Sequence, residues 1–578
     1  MRYLALACDY DGTVAVEGRI AEATCAALER LLASGRKLLL VTGRELEDLL
    51  PIFPQVNLCE WIVAENGAVL YRPATREITL LGSPPPAEFM HTLQARGIAP
   101  LATGRVIVAT REPHENAVLD VIRDLGLELQ VIFNKGAVMI LPTGLNKATG
   151  LKAALREMGL SPHNVVGVGD AENDHAFLGL CECAITVAGA LRLVKERADM
   201  VTHGDNGAGV VELIDALVAD DLCAYEPGLT RHHIVLGTQE RGAEVRVSPY
   251  GINMLLAGPS GSGKSTLATG FLERLAEHGY QFCIIDPEGD YDNVAAAVVL
   301  GDAQRPPSIA EVLQLLTEPT QNAVVNLLGL ALEDRPTFFA PLLSRLQELR
   351  LQTGRPHWIV IDEAHHLLPA AWNPTRQVLT QELTGMLLIT VHPDQVTPAV
   401  LSSVQRIIAV GEAPEATLQA FSMALGQHPP ALAPVSLKPG EALLWARQPE
   451  ESVAQFRIAP SRTDHIRHRR KYAQGELAAD ESFYFRGPAG QLNLRAQNLM
   501  LFMQLAEGID DATWMYHLRR GDYARWFRDA IKDEDLAAIT AGIETQATLT
   551  PAESRRLIKA AIQERYTLPA ASSTSVRQ

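Results

Sequence analysis

The sequence predicts a multidomain α/β protein: two α/β domains on parallel sheets, a small α+β insertion within the first, and a small α-rich domain at the carboxyl end. Three observations predict this. Short apolar runs at Leu4–Ala7, Lys37–Val41 and Asn164–Gly169 each end in a polar motif, the pattern of buried parallel strands that deliver side chains at their carboxyl ends. A second set of such runs begins at Asn253–Ala257 and includes Trp358–Ile361. Beyond Leu492, apolar residues recur at helical spacing. A chain of 578 residues also exceeds what one hydrophobic core supports, so three or four domains are expected.

Composition narrows the class. With 47% hydrophobic and 21% charged residues the chain reads as soluble and globular, and no apolar run reaches the roughly 20 residues that span a bilayer. The start, Met1 to Cys8, runs straight into Asp9-Tyr10-Asp11, so it reads as a first strand rather than a signal peptide. Seven cysteines without a CxxC pair fit a reducing cytoplasm. A net charge of −17 argues against a surface coated for nucleic acid. From Asp464 onward there are 16 Lys and Arg against 15 Asp and Glu, so the acidic excess lies upstream.

In the first domain, Asp9 and Asp11 follow the first strand in Asp9-Tyr10-Asp11-Gly12-Thr13. Two carboxylates two residues apart can divide the labour: Asp9 attacks phosphorus, while Asp11 protonates the leaving oxygen and then activates water. The second strand ends in Thr42-Gly43-Arg44, where a hydroxyl and turn amides can hold phosphoryl oxygens. Lys147 supplies a cation to neutralise phosphate and nucleophile. The third strand delivers Asp170 and Asp174 in Gly169-Asp170-Ala171-Glu172-Asn173-Asp174, a carboxylate-rich setting that suits Mg²⁺.

These four pieces, with the Glu65-Asn66-Gly67-Ala68 turn, resemble the haloacid dehalogenase superfamily, specifically its Cof-type phosphatases, over about residues 1–215, within a domain expected to span 1–220. The resemblance implies a Rossmann-like core, Asp9 as nucleophile and Asp11 as acid/base. It also implies Mg²⁺ on Asp9, the Asp11 carbonyl and Asp170, with Asp174 supporting, and a cap over roughly 84–141. That cap is small and shows few obvious polar anchors; sugar phosphates or small phosphorylated acids are the expected substrates.

In the second domain, a hairpin at His233–Gly237 and Val245–Val247 precedes a strand that enters Gly258-Pro259-Ser260-Gly261-Ser262-Gly263-Lys264-Ser265-Thr266. The glycines let backbone amides converge on phosphate oxygens, and the following helix adds its dipole. Lys264 is placed for the β- and γ-phosphates and Ser265 for Mg²⁺, so the expected ligand is ATP. Trp358–Ile361 then offers Asp362 to the hydrated metal and Glu363 to the attacking water.

Gln281–Tyr291, with its Asp-Pro-Glu-Gly-Asp-Tyr turn, resembles the HerA/FtsK class of ring-forming, RecA-like ATPases over about 228–460. Leu387–Pro393, Gln405–Ile408 and Leu437–Leu444 agree with it. The resemblance implies a γ-phosphate sensor at Thr390 or His392, an arginine acting across a subunit interface, here Arg406, a homo-oligomer such as a hexamer, and DNA as a partner. The stretch is short for a DNA pump and shows no basic pore loop.

His465–Tyr472 reads as a basic linker, and 465–568 as an α-rich domain with Trp514, Tyr523, Trp526 and Phe527 in its core and a helical pattern from Leu492 through Leu505. Its arginine and aromatic strings resemble a small accessory domain that assigns no chemistry. The tail 569–578 reads as disordered. The leading expectation is a bifunctional hydrolase, a Mg²⁺-dependent phosphatase joined to an ATPase. Two others stay open: a DNA-handling motor whose phosphatase fold senses ligands or trims nucleic-acid ends, and a nucleotide-gated scaffold.

Overall fold

The computed structural model describes residues 1–259, 261–292, 294, 296–371, 384–431, 435–447, 452–462, 477, 482–531, 533–546 and 548–566. Met1–Pro287 with Ala295–Pro460 form one compact unit; Glu288–Val294 with Ser461–Gln578 form another. Among the described residues no helix is long and apolar enough to cross a membrane. Among the described residues no two cysteines are joined in a disulfide.

The first sheet contains β1 (Ala5–Cys8), β2 (Lys37–Val41), β3 (Trp61–Ala64), β4 (Val69–Arg72) and β5 (Glu77–Leu80). The cap contributes β6 (Ala102–Thr103), β7 (Val108–Arg111), β8 (Leu129–Asn134) and β9 (Ala137–Pro142) to a separate sheet, and the first sheet resumes with β10 (Val165–Gly169), β11 (Cys183–Thr186) and β12 (Met200–Val201). Its order is β12-β11-β10-β1-β2-β3-β4-β5, parallel except at the β4 and β5 edge. Apolar residues on both faces explain why the central strands read as continuous apolar runs. Leu6, Cys8, Leu38 and Leu40 enter one core, while Ala5, Ala7, Leu39 and Val41 enter the other. Parallel pairing in register brings Asp9, Thr42 and Asp170 to one edge.

The cap sheet has the order β6-β7-β9-β8, and helices Ala87–Ala95 and Glu115–Asp124 cover it through Phe89, Val118 and Val121. Glu65, fully buried and with a left-handed φ of 50°, pins the cap to the core. Its carboxylate accepts the backbone N–H groups of Arg105, Val106 and Ile107 at 2.8–3.0 Å.

The second sheet of this unit has 11 strands. They are β13 (Ile234–Thr238), β14 (Glu244–Val247), β15 (Asn253–Ala257), β16 (Phe282–Asp286), β17 (Ala297–Leu300), β18 (Asn322–Asn326), β19 (Trp358–Ile361), β20 (Met386–Thr390), β21 (Arg406–Val410), β22 (Glu441–Ala446) and β23 (Ser452–Ile458). The order is β14-β13-β23-β22-β21-β15-β20-β19-β16-β18-β17, and the block from β21 to β17 is parallel. The insertion of β20 between β15 and β19 decides the site, because it sets Thr390 between the glycine-rich loop and Asp362.

The second unit contains a two-stranded hairpin, β24 (Phe483–Phe485) and β25 (Leu494–Ala496), and helices from Leu499 to Tyr566. Trp514, Tyr523, Trp526 and Phe527 are buried in its core. The helix expected from Leu492 instead begins at Leu499. Asn498 explains the start: its side chain accepts the Leu501 N–H at 2.8 Å, and the apolar residues upstream pair as a strand. The basic stretch 465–472 and the tail 569–578 lie outside the described residues.

Candidate active sites

The acidic site sits at the carboxyl ends of β1, β2 and β10. Asp9, Lys147, Asp170 and Asp174 are all buried there. Lys147 opens helix Lys147–Glu157, whose start is fixed by a reciprocal cap between Asn146 and Thr149. Its ammonium contacts Asp9 and donates to Asp174 at 2.5 Å. The other Asp174 oxygen accepts the Asp170 and Ala171 N–H groups at 2.8 and 2.9 Å, so Asp174 holds Lys147 in a fixed place. The Thr13 hydroxyl lies 3.2 Å from Asp9 and 3.3 Å from Asp170. Thr42 is buried and its hydroxyl accepts the Arg44 N–H at 3.1 Å.

Burial pushes the Asp9 carboxyl up to about 7, the Asp174 charge adds to this, and Lys147 opposes it. Burial disfavours the Lys147 charge, yet Asp174 and Asp9 outweigh it and raise this lysine above its usual range. Asp170 is raised by burial and lowered in part by Lys135. Asp9, Asp170 and Asp174 each bring an oxygen within 4.8 Å of the others. This hard-oxygen set fits Mg²⁺, and the two ammonium groups show that the cluster is built to hold positive charge.

Sequence reasoning missed three features here. Arg44 grips Asp11 with two bonds of 2.5 and 2.6 Å, and its own pKa is raised mainly by that hydrogen bond. Asn173 donates to Asn66 at 3.1 Å and ties the metal-side turn to the Glu65–Gly67 turn. Lys135 reaches in from the cap: at the β8–β9 turn, its ammonium donates to Asp170 at 2.6 Å. The expectation of a cap with few polar anchors is therefore corrected by Lys135. The Asn134-Lys135-Gly136 string was the signal, since a two-residue turn with left-handed φ of 46° and 81° aims the lysine outward from the sheet. Gly12 makes room, because a Cβ there would lie 2.4 Å from Asp170 and 2.7 Å from the Lys135 ammonium.

The second site forms where β15 meets helix Lys264–Glu277. Gly258 packs so closely that a Cβ would lie 2.2 Å from the Val410 carbonyl oxygen. The Lys264 ammonium donates to the Gly258 and Pro259 carbonyls at 2.8 Å each, which folds it across the loop where phosphates bind. Gly261, Ser262, Gly263, Ser265 and Thr266 complete the turn and first helical residues, while Ser260 lies outside the described residues. Asp362 and Glu363 follow β19, and Glu363 has a left-handed φ of 42°, a strained backbone of the kind found at functional sites.

His365 links this carboxylate to the neighbouring strand. Its Nδ1 lies 3.5 Å from Glu363 and 3.0 Å from the Thr390 hydroxyl, which in turn accepts the His392 N–H at 3.0 Å. Burial pulls His365 down to about 4, with the His366, His392 and Lys264 charges adding to it, so the ring is neutral near pH 7. Spacing along the sequence does not single out His365, whose role follows from the neighbouring strand. Arg406 stands at the other end of the sheet: it pairs with Met254 at the start of β15, about 13 Å along the strand from Gly258.

A family model for haloacid dehalogenase-like hydrolases matches residues 6–95 and 107–214. A haloacid dehalogenase-like hydrolase domain occupies the amino-terminal part. A model for an AAA domain matches 251–394, which makes the following region a P-loop domain of AAA type. Among curated relatives, a phosphoglycolate phosphatase of Methanothermobacter thermautotrophicus is 29% identical over 219 residues, 36% of this chain and 96% of that protein. Phosphoglycolate phosphatase 2 of Saccharolobus solfataricus is 26% identical over 223 residues, 37% of this chain and 92% of its own. A solved haloacid dehalogenase-like hydrolase from Bacteroides thetaiotaomicron is 18% identical with a TM-score of 0.33, covering 37% of this chain and 99% of that one. The haloacid dehalogenase-like domain and its P-loop neighbour join phosphatase and ATPase activities in one chain.

Proposed function

We propose that the chain is a bifunctional hydrolase of the reducing cytoplasm that cleaves a small phosphomonoester at Asp9 and ATP at the P-loop. The observation that carries the first half is Lys147 bridging Asp9 and Asp174 beside Asp170. Asp9 attacks phosphorus and forms an aspartyl phosphate, while Lys147 offsets the charge that this attack concentrates. Asp11 gives its proton to the leaving oxygen and then takes one from water, once substrate entry loosens the Arg44 grip. Asp9, the Asp11 carbonyl and Asp170 would hold Mg²⁺, which supplies charge neutralisation between nucleophile and phosphate. Thr42 and the turn amides orient the phosphoryl oxygens. In the second site Lys264 binds the terminal phosphates, Ser265 and Asp362 serve Mg²⁺, and Glu363 orients water.

Lys135 narrows the substrate. Its ammonium donates to Asp170, and were Mg²⁺ held there it would be available to the leaving group, which would favour a phosphomonoester with a second anion such as a carboxylate. The printed names of the relatives make phosphoglycolate the first compound to try. A panel of phosphomonoesters with Mg²⁺, with and without ATP and DNA, tests this. Release of phosphate from a small phosphorylated acid, lowered about a thousandfold or more by Asp9→Asn with ATP hydrolysis retained, is expected. Phosphate release that survives in Asp9→Asn would remove the aspartyl phosphate.

A second reading, a ring-forming ATPase of the HerA/FtsK kind acting on DNA, is favoured by Arg406. It lies about 13 Å along the strand from Gly258 of its own chain, so any direct contact it makes with a phosphate would be with that of a neighbouring copy.

A further inference from the structure

Helix Lys264–Glu277 runs from the glycine-rich loop to the phosphatase core. Its first residue, Lys264, lies across the Gly258 and Pro259 carbonyls. At 14 residues it spans about 21 Å. His278, the residue after it, offers its carbonyl oxygen to His163 Nε2 at 2.6 Å. His163 stands in the turn Pro162–Asn164, directly before β10. Its Nδ1 donates to Glu182 at 2.6 Å, and Glu182 directly precedes β11.

The two strands carry this contact to the metal-side carboxylate. β10 and β11 pair in parallel, and at their far end the Thr186 hydroxyl donates to the Gly169 carbonyl at 2.7 Å. Asp170 is the next residue. One histidine therefore joins the end of the P-loop helix to the amino ends of both strands behind Asp170. An extended strand is near its full length, so it passes on an axial displacement rather than absorbing it.

The joint is polar where adhesion alone needs only apolar contact. Glu182 is buried among Arg2, His163 and Tyr280, and Arg355 donates to the Gly159 carbonyl at 2.6 Å. Asn164 donates to the Gly354 carbonyl at 3.4 Å. Burying such a network costs desolvation, and what its directional bonds supply is a fixed register between the helix and the strands.

We propose that the P-loop domain regulates the phosphatase: a nucleoside triphosphate bound at Lys264 resets helix Lys264–Glu277, and His163 passes the change through β10 and β11 to Asp170. This dependence rests on both halves of the reading above and adds a link between them. His163 acts as a positioning residue. Coupling between two sites is typically worth about five- to 150-fold.

Hydrolysis of p-nitrophenyl phosphate by the full-length protein with Mg²⁺, with and without saturating ATP analogue carrying an uncleavable β–γ imido bridge, tests this. In the parent the analogue should change kcat/KM about fivefold or more. His163→Phe keeps the stack on Tyr280 and removes both bonds of the imidazole. Its basal turnover should stay within about twofold of the parent while the effect of the analogue disappears. Tyr280→Phe keeps the ring, removes only the bond to Glu182, and should cut the effect to about half or less. Lys264→Ala, which loses its hold on the analogue, should show no effect. An effect that persists in Lys264→Ala comes from the analogue at the phosphatase site and overturns the proposal. Unchanged turnover in a parent that calorimetry shows to be loaded with analogue also overturns it. So does the full effect in His163→Phe, or in Tyr280→Phe should His163→Phe not fold. A parent that releases no p-nitrophenol, or binds no analogue, removes instead the bifunctional reading beneath it.

Discussion

His163 Nε2 donates to the carbonyl oxygen of His278 at 2.6 Å, which ties the phosphatase core to the far end of the helix that begins at Lys264. The His163 Nδ1 donates to Glu182 at 2.6 Å, the ring stacks on Tyr280 at 3.8 Å, and the Tyr280 hydroxyl donates to Glu182 at 2.7 Å. Arg2 completes the ring of donors around this carboxylate. His163, Glu182 and His232 stand close enough to share a metal, but Arg2 and the two engaged nitrogens of His163 already use that space. The junction lies just before β10 and β16, so each active site occupies the opposite, carboxyl end of its strand.

Glu182 should therefore be a stability hinge of the joint. Burial alone would raise its pKa, but the His163 hydrogen bond and the Arg2 charge outweigh burial and hold it well below the usual carboxylate range. A depressed carboxyl stabilises the fold fully above its unfolded pKa, about 4.3, and the contribution is lost as pH falls below that toward the folded value. Glu182→Gln leaves Arg2 buried without its counter-charge and should cost about 3 kcal/mol near pH 7. The gap in melting temperature between parent and variant should narrow steadily below about pH 4. A gap independent of pH would show that the charge is not what holds the joint.

Lys135→Met should change which phosphomonoester is preferred. A charge-assisted hydrogen bond contributes about 1.5–3 kcal/mol, so KM for phosphoglycolate should rise about tenfold or more. p-Nitrophenyl phosphate, which has no second anion, should lose much less. Equal losses on both compounds would place Lys135 with Asp170 alone and free the substrate from any need for a second charge. Binding of phosphoglycolate and of inorganic phosphate to Asp9→Asn, with and without the Lys135 change, gives the same comparison without turnover.

Much of both sites was legible because the motif residues follow apolar runs, and a buried strand fixes where its last residue points. Asp9, Thr42 and Asp170 needed little more than this, whereas Lys147 opens a capped helix and Asp174 closes the turn after β10. Arg44 was visible as a residue, but its grip on Asp11 depends on the angle of a turn, which spacing does not encode. Lys135 lies 35 residues before Asp170 in another sheet, so its role follows from how the cap closes. The β-bulge in β13 and the start of helix Leu499–Gly508 were hidden for a related reason: tertiary pairing decided them, and the Leu492–Leu505 pattern fits strand then helix as well as one helix.

Lys264→Ala and Glu363→Gln should separate binding from hydrolysis. The first removes the ammonium that lies across Gly258 and Pro259, so both affinity for ATP and turnover should fall. The second keeps the loop intact and removes only the carboxylate beside His365, so ATP should bind and persist, with turnover down about a hundredfold or more. Nucleotide retention after gel filtration distinguishes them. Rapid turnover in Glu363→Gln would move the water-orienting role to another group.

Arg406 offers the sharpest test of assembly. It begins β21, its guanidinium donates to the Gln405 carbonyl at 3.2 Å, and burial lowers its pKa. A guanidinium at that end of the sheet stands away from the phosphates of its own chain, so a direct action on hydrolysis would be across an interface, on a neighbour. An arginine acting across an interface can be worth about 10³-fold in rate. Head-to-tail contacts of this kind close into a ring or run on as filaments, and a closed hexamer is expected. Arg406→Ala alone and Lys264→Ala alone should both be nearly inactive as ATPases. Mixed together, some interfaces pair an intact P-loop with an intact arginine, and activity should return to a fraction set by the mixing ratio. Full specific activity from a protein that stays monomeric by light scattering at every ATP concentration would defeat both the ring and the finger.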